Sequence, residues 1–433
     1  MDFRIGGVFA CLPAFVLAAC GRTGLEPRVG GADATTATLP DAARDQRSAS
    51  DRSCRWTGFA PQANYSGAGD SIAAGDFDGD GRVDIVVSAW GNGVREGTAS
   101  VFLNRGDGTF ALPATYSANL QAQSVAVGDF SGDGRLDFAV TNGLDQLDLF
   151  VNLGNGTFAP RARLNGPQEA VVMAAGDFNR DGRPDLAFTT QMDWIAVLLG
   201  DGAGGFAAPL TFPTGINVNS IAVDDFNRDG FPDLVVTSAD WAGTCPGSGA
   251  LCLPVGLAAG AINVLINQGD GTFAAQSTYP AGNGTEAVTT GDFNGDGAPD
   301  ITATNSVDDT LSVFFNTKDG SFAPQVTYPN AGSGTSALGE PFPGTGGGVA
   351  AADFDGDGDV DIVVMHGSSR DHNTGVILVL ANQGDGTFRD PLSIPTTGLP
   401  MGFTVADFNG DGLPDVAAAM IGETLGVFLS TCE

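Results

Sequence analysis

The sequence predicts an all-β fold: a seven-bladed β-propeller of four-stranded antiparallel blades, the last blade closed by the N-terminal strand. Three observations carry this expectation. A nine-residue acidic phrase recurs seven times, beginning at Asp76, Asp129, Asp177, Asp225, Asp292, Asp353 and Asp407. A Gly-Asp/Asn-Gly-Thr-Phe turn recurs with it at 106–110, 154–158, 269–273 and 384–388, with variants at 200–206 and 319–322. Between them lie short β-rich runs in a chain holding 64 glycines, which suits tight turns rather than long helices. A spacing of 48 to 67 residues between phrases marks repeated supersecondary units packed on one another.

The strands of each unit follow in order. A run such as Ser124-Val125-Ala126-Val127 enters the acidic phrase. A second leaves it, as in Asp84-Ile85-Val86-Val87 or Asp233-Leu234-Val235-Val236, and Leu311-Ser312-Val313-Phe314-Phe315 exemplifies the third. The glycine turn then introduces a fourth, as in Gln325-Val326-Thr327-Tyr328. Such runs separated by Gly/Asp turns read as antiparallel hairpins, and radial closure protects their edges. The seventh unit stops at Val427-Phe428-Leu429-Ser430-Thr431-Cys432, before any fourth strand. Thr57-Gly58-Phe59-Ala60-Pro61-Gln62 aligns with Gly320-Ser321-Phe322-Ala323-Pro324-Gln325, so the N-terminal strand is expected to complete that blade.

The acidic phrase keeps Asp at position 1, Phe at 2, Asp, Asn or Ser at 3, Asp at 5, Gly at 6 and Asp at 9. Side chains at positions 1, 3, 5 and 9, with the carbonyl of position 7, can converge on one hard cation, and calcium takes six to eight such oxygens. The expected ligand sets are Asp76, Asp78, Asp80 and Asp84; Asp129, Ser131, Asp133 and Asp137; Asp177, Asn179, Asp181 and Asp185; and Asp225, Asn227, Asp229 and Asp233. Three more are Asp292, Asn294, Asp296 and Asp300; Asp353, Asp355, Asp357 and Asp361; and Asp407, Asn409, Asp411 and Asp415. Up to seven Ca2+ are expected, with the Ser131 set the weakest and the sets holding Asp78 and Asp355 the most charged. An EF-hand is excluded: position 12 would need a bidentate Glu and holds Val87, Val140, Phe188, Val236, Ala303, Val364 and Ala418. The position-2 Phe belongs in the core between blades. These phrases carry nearly half of the 51 acidic residues and much of the net charge of −32. Such a charge disfavours nucleic acid and anionic membrane surfaces as partners.

Residues 1–20 hold Arg4, an apolar run from Val8 to Ala19, and Leu17-Ala18-Ala19-Cys20, which resembles the lipobox of bacterial lipoproteins. The run is too short to span a bilayer, so a cleaved signal with lipidation of Cys20 is expected. Residues 21–53 read as a flexible tether and 54–433 as the propeller. Four further cysteines in an exported chain suggest two disulfides. Cys245 and Cys252 are expected to pair locally, and Cys54 with Cys432 across the ring closure.

With the phrase and turn in place, the chain resembles the FG-GAP/VCBS repeat family and the propeller of integrin α-subunits, over about residues 57–431. The resemblance implies calcium in the loop between the first two strands of a blade. Here all seven blades carry the phrase, where integrin-like propellers fill only some. Nothing assembles into a catalytic group. His366 and His372 read as part of a polar loop, and Arg105-Gly106-Asp107 as a variable turn. Trp90, Trp194 and Trp241 fall at the connection between second and third strands, opposite the acidic loops, where exposed aromatics suit ligand capture. Insertions 241–261 and 330–348 share that face. The expected function is a calcium-binding, monomeric ligand-binding or adhesion module on the bacterial envelope, for an extracellular protein or polysaccharide. The alternatives are a propeller-based polysaccharide lyase or hydrolase, and a structural scaffold.

Overall fold

The computed structural model describes residues 56–432, apart from 68, 92–95, 119–121, 142–145, 161, 191–193, 215–217, 241–258, 330–347, 368–373 and 423. The expected signal, tether, Cys20, Cys54, Trp241, Cys245, Cys252 and His372 lie outside the described residues.

Seven four-stranded antiparallel sheets and two short two-stranded ones, Trp56–Phe59 with Ser430–Cys432 and Asn152–Gly154 with Thr157–Phe158, make up the described strands, with no helix among the described residues. Blade 1 runs through Ser71–Gly75, Asp84–Ala89, Thr98–Phe102 and Ala114–Ser117, called strands a to d here. Strand a of each blade touches strand a of the next, and that of blade 7 (Pro400–Ala406) touches that of blade 1, so the ring closes. Strand b is buried almost throughout, whereas strand d faces solvent. The reason is that strand b is covered on both faces. Ile85 and Val87 pack with Phe408, Ala417 and Leu425 of blade 7, while Val86, between them, packs with Val125, Val127 and Phe138 of blade 2. A strand covered on both sides reads as a continuous apolar run rather than an alternating one. Seven such clusters form the core, one at each blade interface.

The position-2 phenylalanines sit in those interfaces, as the sequence predicts. Each meets the turn Phe of the following blade, with ring centroids 5.4–5.9 Å apart. Phe226, fully buried, lies 5.4 Å from Phe322. Phe226→Ala is expected to cost about 3–5 kcal/mol in denaturant unfolding, in line with other large core truncations. Leu112→Ala, at a residue 89% exposed, is expected to cost almost nothing.

The closure follows the expected register. Ala63–Ser66 forms strand d of blade 7 against Thr424–Phe428. Trp56–Phe59 pairs with Ser430–Cys432, and Phe59 takes the turn-Phe position against Phe354 of blade 6. Cys432 is disulfide-bonded and lies opposite Trp56, two residues after Cys54. Two expectations need correction. His366 belongs to strand b of blade 6 (Asp361–Gly367) rather than to a loop, and is 8% exposed, because the pairing continues through His366–Val376 to Gly367–Gly375. Residues 259–261 of the expected insertion likewise belong to strand c of blade 4 (Ala259–Leu265), and Gly348 opens strand a of blade 6 (Gly348–Ala352).

Candidate metal centre

Each acidic phrase joins strand a to strand b and folds around its own carboxylates. In blade 1, Asp76 Oδ1 accepts the amides of Gly79 (2.7 Å) and Asp80 (3.2 Å), and its Oδ2 that of Gly81 (2.9 Å). Asp78 Oδ1 accepts the amide of Asp80 (3.1 Å), and Asp80 Oδ1 that of Arg82 (2.9 Å). These are successive side-chain-to-backbone turns of the kind Asp and Asn favour. Positions 4 and 6 turn through the left-handed region, at φ 77° and 84° for Gly79 and Gly81. In blades 3 and 4, Arg180 and Arg228 take position 4 at φ 54° and 62°, a conformation that glycine adopts more readily.

Position 9 opens strand b and is fully buried in every blade. Asp84 Oδ2 accepts the Phe77 amide (2.9 Å) and Oδ1 the Asn104 amide (2.7 Å), clasping the loop to the end of strand c. Asp185, Asp233, Asp300, Asp361 and Asp415 repeat both bonds. Asp137 differs by taking the Ser131 amide in place of that of Phe130. Burial pushes the carboxyls of Asp84, Asp185, Asp233, Asp300 and Asp415 up to about 7 and that of Asp361 up to about 8, and it also raises that of Asp137. These groups are destabilised when ionised unless a positive charge comes to them.

The arrangement fits a hard cation. One oxygen each from Asp76, Asp78 and Asp84, and likewise from Asp353, Asp355 and Asp361, lies within 4.8 Å of the others. Oxygens on a shell of about 2.3–2.6 Å radius lie no further apart than roughly 5 Å. In four other blades the position-3 Asn Oδ1 accepts the position-5 amide as Asp78 does, at 2.8–3.1 Å, so Asn179, Asn227, Asn294 and Asn409 point the same way. Ser131 is too short for this. Its Oγ is buried with no hydrogen-bond partner, and only its backbone amide reaches Asp137, at 2.8 Å. The position-5 carboxylates Asp80 and Asp357 stand outside the two triplets.

One feature escaped the sequence reading. Asn104, Asn152, Asn267, Asn316 and Asn382, just before the glycine turn, each donate from Nδ2 to the position-2 carbonyl of the preceding blade. The same amide also reaches the carbonyl just before the position-9 Asp of its own blade. These asparagines stitch neighbouring acidic loops together at 2.8–2.9 Å. Asp107 of the Arg-Gly-Asp turn accepts from the Thr109 amide and hydroxyl, as Asp270 and Asp385 do with their threonines, so it is a turn device. At the far end of the blades, Trp90 follows strand b of blade 1 and is 46% exposed. Trp194 opens strand c of blade 3 (Trp194–Leu198) and is half-buried, so blade 2 separates the two.

Six stretches of the chain match the family model described as FG-GAP-like repeat: 76–140, 129–188, 177–236, 254–303, 292–364 and 353–418. All but the fourth begin at an acidic loop and each ends in strand b of a later blade, so six stretches span seven loops. No curated protein matches the chain. Among solved structures, one of an Agrocybe aegerita lectin recognising non-reducing terminal N-acetylglucosamine is similar at 16% identity and a TM-score of 0.53, covering 87% of this chain and 96% of that one. A structure of BBS1N in complex with ARL6DN is similar at 12% identity and a TM-score of 0.52, covering 86% and 96%. Both likenesses are of fold. With matched stretches over well more than half its length, seven closed blades and one acidic loop in each, the chain belongs to the FG-GAP-like repeat family.

Proposed function

We propose that the protein is a calcium-stabilised binding module that captures an extracellular ligand on the end of the ring opposite its acidic loops. The observation that carries the calcium half is the pair of carboxylate triplets with a 4.8 Å span, in loops that recur in every blade. Up to seven ions, held by positions 1, 3, 5 and 9, would neutralise carboxylates that burial disfavours as anions. Calcium here is a structural cation that tightens the loops, with no chemistry to perform.

For the ligand, the reading is a polysaccharide met by exposed aromatic surface, with Trp90 as first contact. An indole face buries a sugar ring with little loss of side-chain freedom. A lectin on the same fold makes carbohydrate the first class to screen. The reading places the mature chain at a bacterial envelope through lipidated Cys20, acting as a monomer and without enzymatic activity. The test is glycan-array binding of the wild type beside Trp90→Ala and Trp194→Ala. Binding reduced tenfold or more by Trp90→Ala supports the reading. Binding indifferent to both changes removes the aromatic face from it, and release of reducing ends from any polysaccharide overturns the non-enzymatic assignment.

A further inference from the structure

The seven loops are not equivalent, and the difference lies beside position 5. In blade 1 the Arg82 guanidinium donates to Asp80 Oδ2 at 3.0 Å while the Arg82 amide holds Oδ1 of the same carboxylate. In blade 2 Arg135 pairs with Asp133 in the same way. Arg183 stands 3.8 Å from Asp181 in blade 3, and Lys318, from the turn after strand c, stands 3.5 Å from Asp296 in blade 5. Blade 6 has the opposite arrangement: position 7 is Asp359, adding a fifth carboxylate to Asp353, Asp355, Asp357 and Asp361. Among the described residues no cation pairs with Asp353, Asp355, Asp357 or Asp359. Blades 1 and 6 make a matched pair, since both carry the all-carboxylate triplet and differ in the charge at position 7.

We propose that the loops take up calcium in a graded order set by the residue beside position 5. Blade 6 fills first, and blades 1 to 3, where an arginine stands beside the position-5 carboxylate, fill later. The inference rests on the calcium reading above. Affinity in oxygen-ligand sites rises with the number of ligand charges. An arginine lowers that charge, and in blades 1 and 2 it also binds an oxygen the ion would use. The guanidinium side chains are about half exposed (46–52%), so the ion pairs are weak and give way to calcium rather than exclude it. Reversing the charge at position 7 acts on a divalent ion a few ångströms away, an effect of roughly tenfold or more in affinity.

The structure supplies a reporter for this order. Trp56 lies 6.3 Å from Phe354, the residue after Asp353, whereas Trp90 and Trp194 sit at the other end of their blades. Terbium added to the metal-free full-length chain, with tryptophan-sensitised luminescence as the readout, therefore reports filling near blade 6. Trp56 Nε1 also donates to Ser430, beside the blade 7 loop, so the Asp359→Arg variant is needed to assign the signal. The expected result is a rise within the first equivalent of terbium, lost in Trp56→Phe and delayed to later equivalents in Asp359→Arg. Calcium titration should show the tightest site weakened about tenfold in Asp359→Arg, and a second site joining the tight class in Arg82→Asp. A late signal, or titrations unmoved by both charge reversals while metal still binds, overturns the graded order and leaves the calcium reading standing. No uptake of either ion overturns both.

Discussion

Withdrawing calcium is expected to lower the thermal midpoint of the folded chain by tens of degrees. Each ion bound to the native state alone stabilises it by about 2.7 kcal/mol at a hundredfold excess over its dissociation constant. Seven loops would multiply that to nearly 20 kcal/mol, if all fill. For a domain of this size about 1 kcal/mol moves the midpoint by roughly 1–2 °C, which puts the shift near 20–40 °C. The structural reason is where the ions would sit. Every acidic loop holds a position-2 Phe between blades, and five of the loops accept an interblade bond from an asparagine. Loosening the loops therefore loosens the ring. Calorimetry with excess calcium, excess magnesium and chelator checks this. Magnesium should substitute poorly, because it demands a tighter octahedral shell and gives up its water reluctantly.

The metal-free chain is expected to lose stability as pH rises, the reverse of its calcium-loaded form. Six of the seven position-9 carboxyls sit near 7 or 8 in the fold and near 3.9 when unfolded, and burial raises the seventh, Asp137, in the same direction. A group whose folded value is raised binds its proton more tightly when folded. Its contribution is then complete below pH about 4 and is lost as pH climbs through about 7 to 8, at up to roughly 1.4 kcal/mol per pH unit for each group. Glu286, which burial pushes up to about 7 beside the Ser306 hydroxyl, adds the same sign. Calcium requires those carboxylates ionised, so its stabilisation grows over the same interval. Thermal midpoints of chelator-treated, dialysed protein should fall between pH 5 and pH 8, while the calcium-induced increment widens. Midpoints of the metal-free chain that rise over that interval would show that the buried carboxyls are already ionised and compensated.

The sequence made the ring legible because its signals were local and repeated. The phrase, the turn and the missing last strand sufficed to place Ala63–Ser66 on blade 7 and the position-2 phenylalanines between blades. What stayed hidden depended on partners far along the chain. Asn267 reads as one more polar residue before a turn until the ring brings its amide to the Phe178 carbonyl, 89 residues away. Asp84 and its equivalents read as ligands by spacing alone, and spacing does not reveal that two backbone amides already hold each carboxylate. His366 reads as loop because Gly, Ser, Arg and Asp follow it, while strand b of blade 6 runs on through Gly367 by pairing with Gly375. Trp90 and Trp194 lie at the connection the spacing predicts, but spacing does not reveal that a whole blade separates them.

The most direct test of the account is a count of ions: equilibrium dialysis of the metal-free chain against saturating calcium, with bound metal measured per chain. Uptake approaching seven ions, one per acidic loop and released by chelator, is the predicted result. A chain that keeps its fold and binds no calcium would contradict it, and would leave the acidic phrases as turns alone.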